Sequence, residues 1–118
     1  MRTLTTLQAD DVRSAVAAAD RRTGLHFAVY AGPVQGPRRH FAERMHAALG
    51  ADAAVSVLIL LDTGARAMEI VTGEEARRRI PDRDCRMIAM SMAHAFSKGD
   101  LVGGLVGGIE ALADRSMG

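Results

Sequence analysis

Four aspartates, Asp62, Asp82, Asp84 and Asp100, are the residues of this 118-residue chain whose type is best suited to chemistry. Clustered carboxylates hold hard divalent cations through oxygen, so these four are the candidate metal ligands. No EF-hand spacing joins them, and a structural role accounts for most of them without an ion. Asp82 follows Pro81 and Asp100 follows Gly99, and each opens an apolar stretch of helical pattern. A carboxylate at such an N-cap accepts from free backbone N–H groups, worth about 1 kcal/mol. Asp62 begins Asp62-Thr63-Gly64-Ala65, a sequence with turn chemistry. N-caps and a turn are therefore the preferred reading, and an ion held by some of the four is the alternative.

The stretch Gly99 to Gly108 invites comparison with a phosphate cradle, but it matches neither GxGxxG nor GxxxxGK[ST]. Gly103 and Gly107, and likewise Gly104 and Gly108, are four apart and line one flank of a helix. Each mid-helix glycine costs about 0.5–1 kcal/mol relative to alanine, so close packing of a neighbouring helix is the expected compensation. The alternative is a ligand groove kept open by Gly103, Gly104 and Gly107 with Met90 beside it. Ile88, Met92, Ala95 and Phe96 make a core stripe, which leaves Met90 as the exposed methionine. Cys85 stands alone beside Arg83 and Arg86, and no base can be placed against it, so it is read as a small buried hydrophobe. Arg77-Arg78-Arg79 follows Glu74 and Glu75 closely enough for i,i+3 and i,i+4 pairing. No GxSxG elbow or Ser-His-Asp order is present. His26, His40, His46 and His94 are given no role by the sequence.

Regular elements must position these residues. Val12, Ala15, Val16 and Ala19 give one buried helical stripe, predicting a helix over about Gln8 to Arg22, with Thr5 and Gln8 as a capping box and Gly24 as the stop. Leu25 to Ala31 alternates as a strand. Pro37 opens a second helix from Arg38 to about Leu49, with Phe41, Met45, Ala48 and Leu49 inward. Val55 to Leu61 is a nearly continuous apolar run, the mark of a strand covered on both faces. Arg66 to Thr72 completes a hairpin with it. The strand–helix–strand unit implies a parallel pair joined right-handedly, so the sheet order is 1-2-3 with the third strand antiparallel. A short charged segment from Gly73 to Ile80 precedes helices from Asp82 to about Ser97 and from Leu101 to Ala113. The expected fold is α/β: residues 1–118 as one layer sandwich, a mixed sheet of three to four strands covered by helices on both faces.

Composition narrows function further. Fifteen Lys and Arg against fourteen Asp and Glu leave a net charge of +1, and aromatic residues make up 3%. Neither phosphate neutralisation nor base stacking is served by that balance, so no nucleic-acid partner is expected. One cysteine gives no disulfide framework. No apolar run approaches membrane-span length, and residues 1–20 lack a signal-like apolar core. The expectations are no membrane insertion and a cytoplasmic location. Fourteen of the fifteen cations are Arg, the skew of a GC-rich coding sequence.

Several short motifs resemble the TPM domain. They are Asp20-Arg-Arg-Thr-Gly24, the strand Val55–Leu61, Arg66-Ala-Met-Glu-Ile-Val-Thr-Gly73, Ile80-Pro-Asp82, Phe96-Ser-Lys-Gly-Asp100 and Gly104-Leu105…Gly108-Ile109…Leu112. Within that group the chain is most similar to small proteins of GC-rich Gram-positive bacteria classed only as a domain of unknown function. The resemblance implies a mixed sheet between helices. It also implies links to acid phosphatase activity, divalent-cation binding or extracytoplasmic membrane-protein complexes. Of the family's acids, Asp82 and Asp100 persist. Glu75 stands where a second glycine is common, Arg77 replaces an acid, and Leu101 replaces an aromatic residue. The reading that follows is a soluble accessory or interaction domain with an unidentified protein partner, no resident cofactor and no catalytic constellation. The alternatives are a divalent-metal-dependent phosphatase-like hydrolase and a small-ligand-binding domain.

Overall fold

Seven consecutive residues, Ser56–Asp62, are all buried, and the rest of the chain is arranged around them. The computed structural model describes residues 6–118. In chain order these form α1 (Thr6–Thr23), β1 (His26–Gly32), α2 (Arg38–Ala47), a 3-10 segment (Gly50–Val55), β2 (Ser56–Asp62), β3 (Ala67–Thr72), α3 (Glu74–Arg79), α4 (Asp82–Ser97) and α5 (Leu101–Met117). The sheet order is β1-β2-β3. β1 is parallel to β2, with Phe27 beside Val57 and Tyr30 beside Leu60. β3 is antiparallel to β2, with Ile59 beside Ile70. This is the mixed three-stranded α/β sandwich that the apolar runs imply.

Alternation along the strands divides the interior in two. Phe27, Val29 and Ala31 join Val57, Ile59, Leu61, Met68 and Ile70 in the larger core. There they meet Val12 and Ala19 of α1, Met92 and Phe96 of α4, and Leu105, Ile109 and Leu112 of α5. Ala28, Tyr30, Leu58, Leu60 and Val71 face the other way, onto Phe41, Ala42 and Met45 of α2. β2 is apolar from Val57 to Leu61 because both its faces are covered.

Several boundaries differ from expectation for physical reasons. α2 ends at Ala47, and the chain winds into the 3-10 segment before β2; Gly50, at φ +66°, turns it there. The buried line of α2 runs through Ala42 and His46, because His46 Nε2 donates to the Ser56 carbonyl at 3.2 Å and so satisfies its polar end inside. Ser56 Oγ donates to the Asp52 carbonyl at 2.6 Å and accepts from His26 Nδ1 at 3.3 Å. α5 continues past Ala113 to Met117, its last turn held by Arg79 Nε donating to the Ser116 carbonyl at 3.2 Å. The capping box expected at Thr5 and Gln8 lies outside the described residues.

The two edges of the sheet are finished differently. On β3, Arg39 Nη1 donates to the Ile70 carbonyl at 2.9 Å and Arg77 Nη2 to the Thr72 carbonyl at 2.8 Å. On β1, the Phe27 N–H donates to Asp20 Oδ1 at 2.8 Å. Capping an outward backbone group with a charged side chain blocks an incoming strand.

Candidate functional site: a trough between the last two helices

α4 and α5 lie side by side, and the glycines of α5 determine how closely. Gly104 and Gly108 are buried. A Cβ on Gly104 would stand 2.6 Å from the Phe96 ring, and one on Gly108 would collide with the Met92 side chain. These two glycines are therefore packing glycines, as expected. Gly103 has another cause: a Cβ there would strike the Asp100 carboxylate, whose Oδ1 accepts from the Gly103 N–H at 2.9 Å as the N-cap of α5. Gly107 differs from all three, because nothing lies within 4 Å of where its Cβ would be.

That space belongs to an open trough of about 640 Å³. Met87, Ser91 and Ala95 of α4 form one wall, and Gly103, Gly107 and Ala111 of α5 form the other. At one end Arg115 Nη2 of α5 meets Asp84 Oδ1 of α4 at 2.9 Å. Met87 is 61% exposed at the rim. Gly103, Gly104 and Gly107 all line this trough. Met90 does not line it. It is 74% exposed, but its position on α4 is about 100° of helical rotation from Ser91, the middle of the trough wall, by the geometry of 3.6 residues per turn. The spacing 87, 91, 95 was the available signal for the true wall, since residues four apart share a helix face.

The four candidate ligands are dispersed among internal partners. Asp62 Oδ1 accepts from the Gly64 and Ala65 N–H groups at 3.1 and 3.2 Å, forming the hairpin turn, and Arg38 Nη1 lies 3.8 Å from Oδ2. Asp84 pairs with Arg115, and Asp100 caps α5. Asp82 departs from expectation: Pro81 occupies the N-cap of α4, and Asp82 is the first helical residue with no side-chain cap bond. Proline's fixed φ suits this boundary, which moves the aspartate one position inward. Its carboxylate faces solvent, 3.8 Å from Arg77 Nε. Among the described residues no group of three or more His, Cys, Asp or Glu is placed to hold a metal ion. As a common ligand set for one divalent cation the four aspartates do not fit.

Cys85 is buried, as its reading as a small hydrophobe requires, and its Sγ donates to the Ile80 carbonyl at 3.8 Å. Burial pushes its thiol up to about 11, helped by the carboxylates of Asp82 and Asp84 and opposed by Arg39 and Arg77. A protonated thiol is a poor nucleophile at neutral pH. The arginine run pairs only in part: Arg78 meets Glu74 at 3.6 Å, while Arg77 and Arg79 reach backbone carbonyls.

A three-stranded mixed sheet between helices, closed by an α4–α5 pair of this kind, defines a small α/β sandwich whose accessible feature is a helix-walled trough. The TPM domain model matches residues 1–115, and the chain belongs to the TPM domain family. Solved structures agree on the fold. The NMR structure of the BA42 protein from Bizionia argentinensis superposes at TM-score 0.86 with 19% identity, over 97% of this chain and 81% of that one. The N-terminal domain of a P. gingivalis protein gives 0.83 and 20% identity, over 95% and 75% of the two chains. The N-terminal domain of a Corynebacterium glutamicum protein gives 0.77 and 14%, over 97% and 74%. Among curated proteins none matches the chain by sequence. No described helix is long and apolar enough to cross a membrane.

Proposed function

We propose that this TPM domain is a non-catalytic interaction module that receives a protein partner in the α4–α5 trough. The observation that carries the reading is Gly107. It bears the helix cost of a glycine, yet no neighbour needs its missing Cβ, and the space it leaves is part of the trough. The exposed Met87 beside it supplies an adaptable apolar contact of the kind used at permissive binding surfaces. The phosphatase alternative draws no support from the site geometry, because among the described residues its candidate carboxylates are not grouped to hold an ion and burial keeps its one thiol protonated at neutral pH. The cytoplasmic location expected from the sequence goes with this proposal, and cell fractionation tests it.

The experiment is site-specific photo-crosslinking in cells. A photoreactive residue at position 87 should yield a discrete protein adduct. The same residue at position 90, which is more exposed and stands about 60° further round α4, outside the trough, should not. Equal labelling from both positions, or no adduct from 87, would sink the proposal. So would phosphoester turnover by the purified protein that is lost in Asp84→Asn or Asp100→Asn while folding is retained.

A further inference from the structure

Two outward carbonyls of the β3 edge are held by arginines, whereas the outer edge of β1 has a single outward group engaged, the Phe27 N–H. Along β1, the Gly32 carbonyl accepts from Thr63 on the β2 side, and the Phe27 N–H points away, to Asp20. Backbone groups alternate in direction along a strand, so Phe27, Val29 and Ala31 all face outward. Among the described residues nothing bonds the outward groups of Val29 or Ala31. Beside them a trough of about 470 Å³ separates β1 from α1, lined by Val16, Ala17, Val29 and Ala31 and by the charged Arg13 and Asp20.

We propose that this edge pairs with the same edge of a second copy of the chain. β1 runs antiparallel to its counterpart about a two-fold axis at Tyr30, and the two sheets join into one of six strands. The hydrogen-bonding pattern of the edge is its own complement in that register. Val29 lies opposite the partner's Ala31, and Ala31 opposite the partner's Val29, each pair exchanging two bonds. One step further out, Phe27 meets the partner's Pro33. Phe27 has its N–H already held by Asp20, and a proline has no N–H to give. Pairing therefore ends at both sides where each chain has stopped it.

α1 carries a second, independent match. The exposed residues Asp10, Ser14, Ala17 and Arg21 follow one another at i, i+4, i+7 and i+11 on the flank beside the trough. The same two-fold sets the two α1 helices antiparallel. Asp10, whose carboxylate also pairs with Arg13 of its own helix, then faces the partner's Arg21, and Ser14 faces the partner's Ala17, so opposite charges meet at both ends with small residues between. The two centres lie within about 3 Å of each other along the two elements. From the Asp20–Phe27 contact, the midpoint of this flank is about 7 Å along the helix, and Tyr30 is about 10 Å along the strand.

Sedimentation velocity tests the pairing over about 1 μM to about 1 mM chain, the range of weak to moderate association. The expected result is a species of twice the 12.5 kDa chain mass. Ala31→Pro removes an outward N–H that β2 does not use. It should weaken dimerisation at least about tenfold while the far-UV circular dichroism is kept. Arg21→Asp should also weaken it, and Asp10→Arg combined with Arg21→Asp should restore it; this pair decides the matter alone if the proline variant does not fold. A monomer throughout the range, or a dimer indifferent to every substitution, overturns the proposal. It concerns a face other than the α4–α5 trough, so the crosslinking result at position 87 stands or falls separately.

Discussion

Asp100 and Asp82 look alike in the sequence, each following a helix-breaking residue and preceding an apolar helix, but they do different work. Asp100 accepts from the Gly103 N–H, and Asp100→Ala should lower stability by about 1 kcal/mol in urea denaturation. Asp82 has only the exposed, 3.8 Å approach to Arg77, and Asp82→Ala should change stability by under about 0.5 kcal/mol. Cys85 gives a pH-dependent test. Its folded-state pKa is raised to about 11, chiefly by burial. Between about pH 9 and about pH 11 the unfolded chain gives up the thiol proton while the folded chain keeps it, so stability is intact below this window and falls across it. The contribution is at most about 3 kcal/mol. Denaturation of the parent chain and Cys85→Ala, compared from about pH 8 to about pH 11, should show the steeper decline in the parent.

At the scale of elements, α5 is the helix whose composition most opposes helix formation, with Gly103, Gly104, Gly107 and Gly108 in its first half. Its stability therefore comes from packing, through Leu105, Ile109 and Leu112, all fully buried. The glycines separate under substitution. Gly104→Ala drives a methyl group into the Phe96 ring and should cost about 1–3 kcal/mol. Gly107→Ala meets only open space and should raise stability by about 0.5–1 kcal/mol. Thermal denaturation of the two variants should move the midpoint in opposite directions. A midpoint lowered by Gly107→Ala would mean that α5 packs more tightly at that position than the trough allows.

At the scale of the whole molecule, a sheet of three strands in a body with a radius of gyration of 13.0 Å has two edge strands and one central one. Both edges must be managed, since an open row of N–H and C=O groups invites pairing. Arg39 of α2 and Arg77 of α3 hold two outward carbonyls of the β3 edge. Asp20 closes only the first outward group of β1. That asymmetry leaves a side where arginines hold β3, a side with the α4–α5 trough, and the β1 side proposed for a second copy.

Much of this was legible in the residues themselves. Val55 to Leu61 had to be a strand covered on both faces, because no other element buries a continuous apolar run of that length in so small a domain. The parallel β1–β2 pair followed from the helix between them, and the cap at Asp100 from its place after Gly99. These are local or nearly local properties, governed by periodicity and by backbone groups a few residues away. The tertiary structure decided what depends on two distant segments meeting. Only the approach of α4 to α5 distinguishes Gly107 from Gly104, sets Met87 in the trough and leaves Met90 out. Only the docking of α2 and α3 beside the sheet brings Arg39 and Arg77 onto β3. A one-residue shift in a helix start, as at Pro81, or a rotation of about 100° around a helix axis is invisible to composition, yet it determines which side chain meets solvent, neighbour or partner.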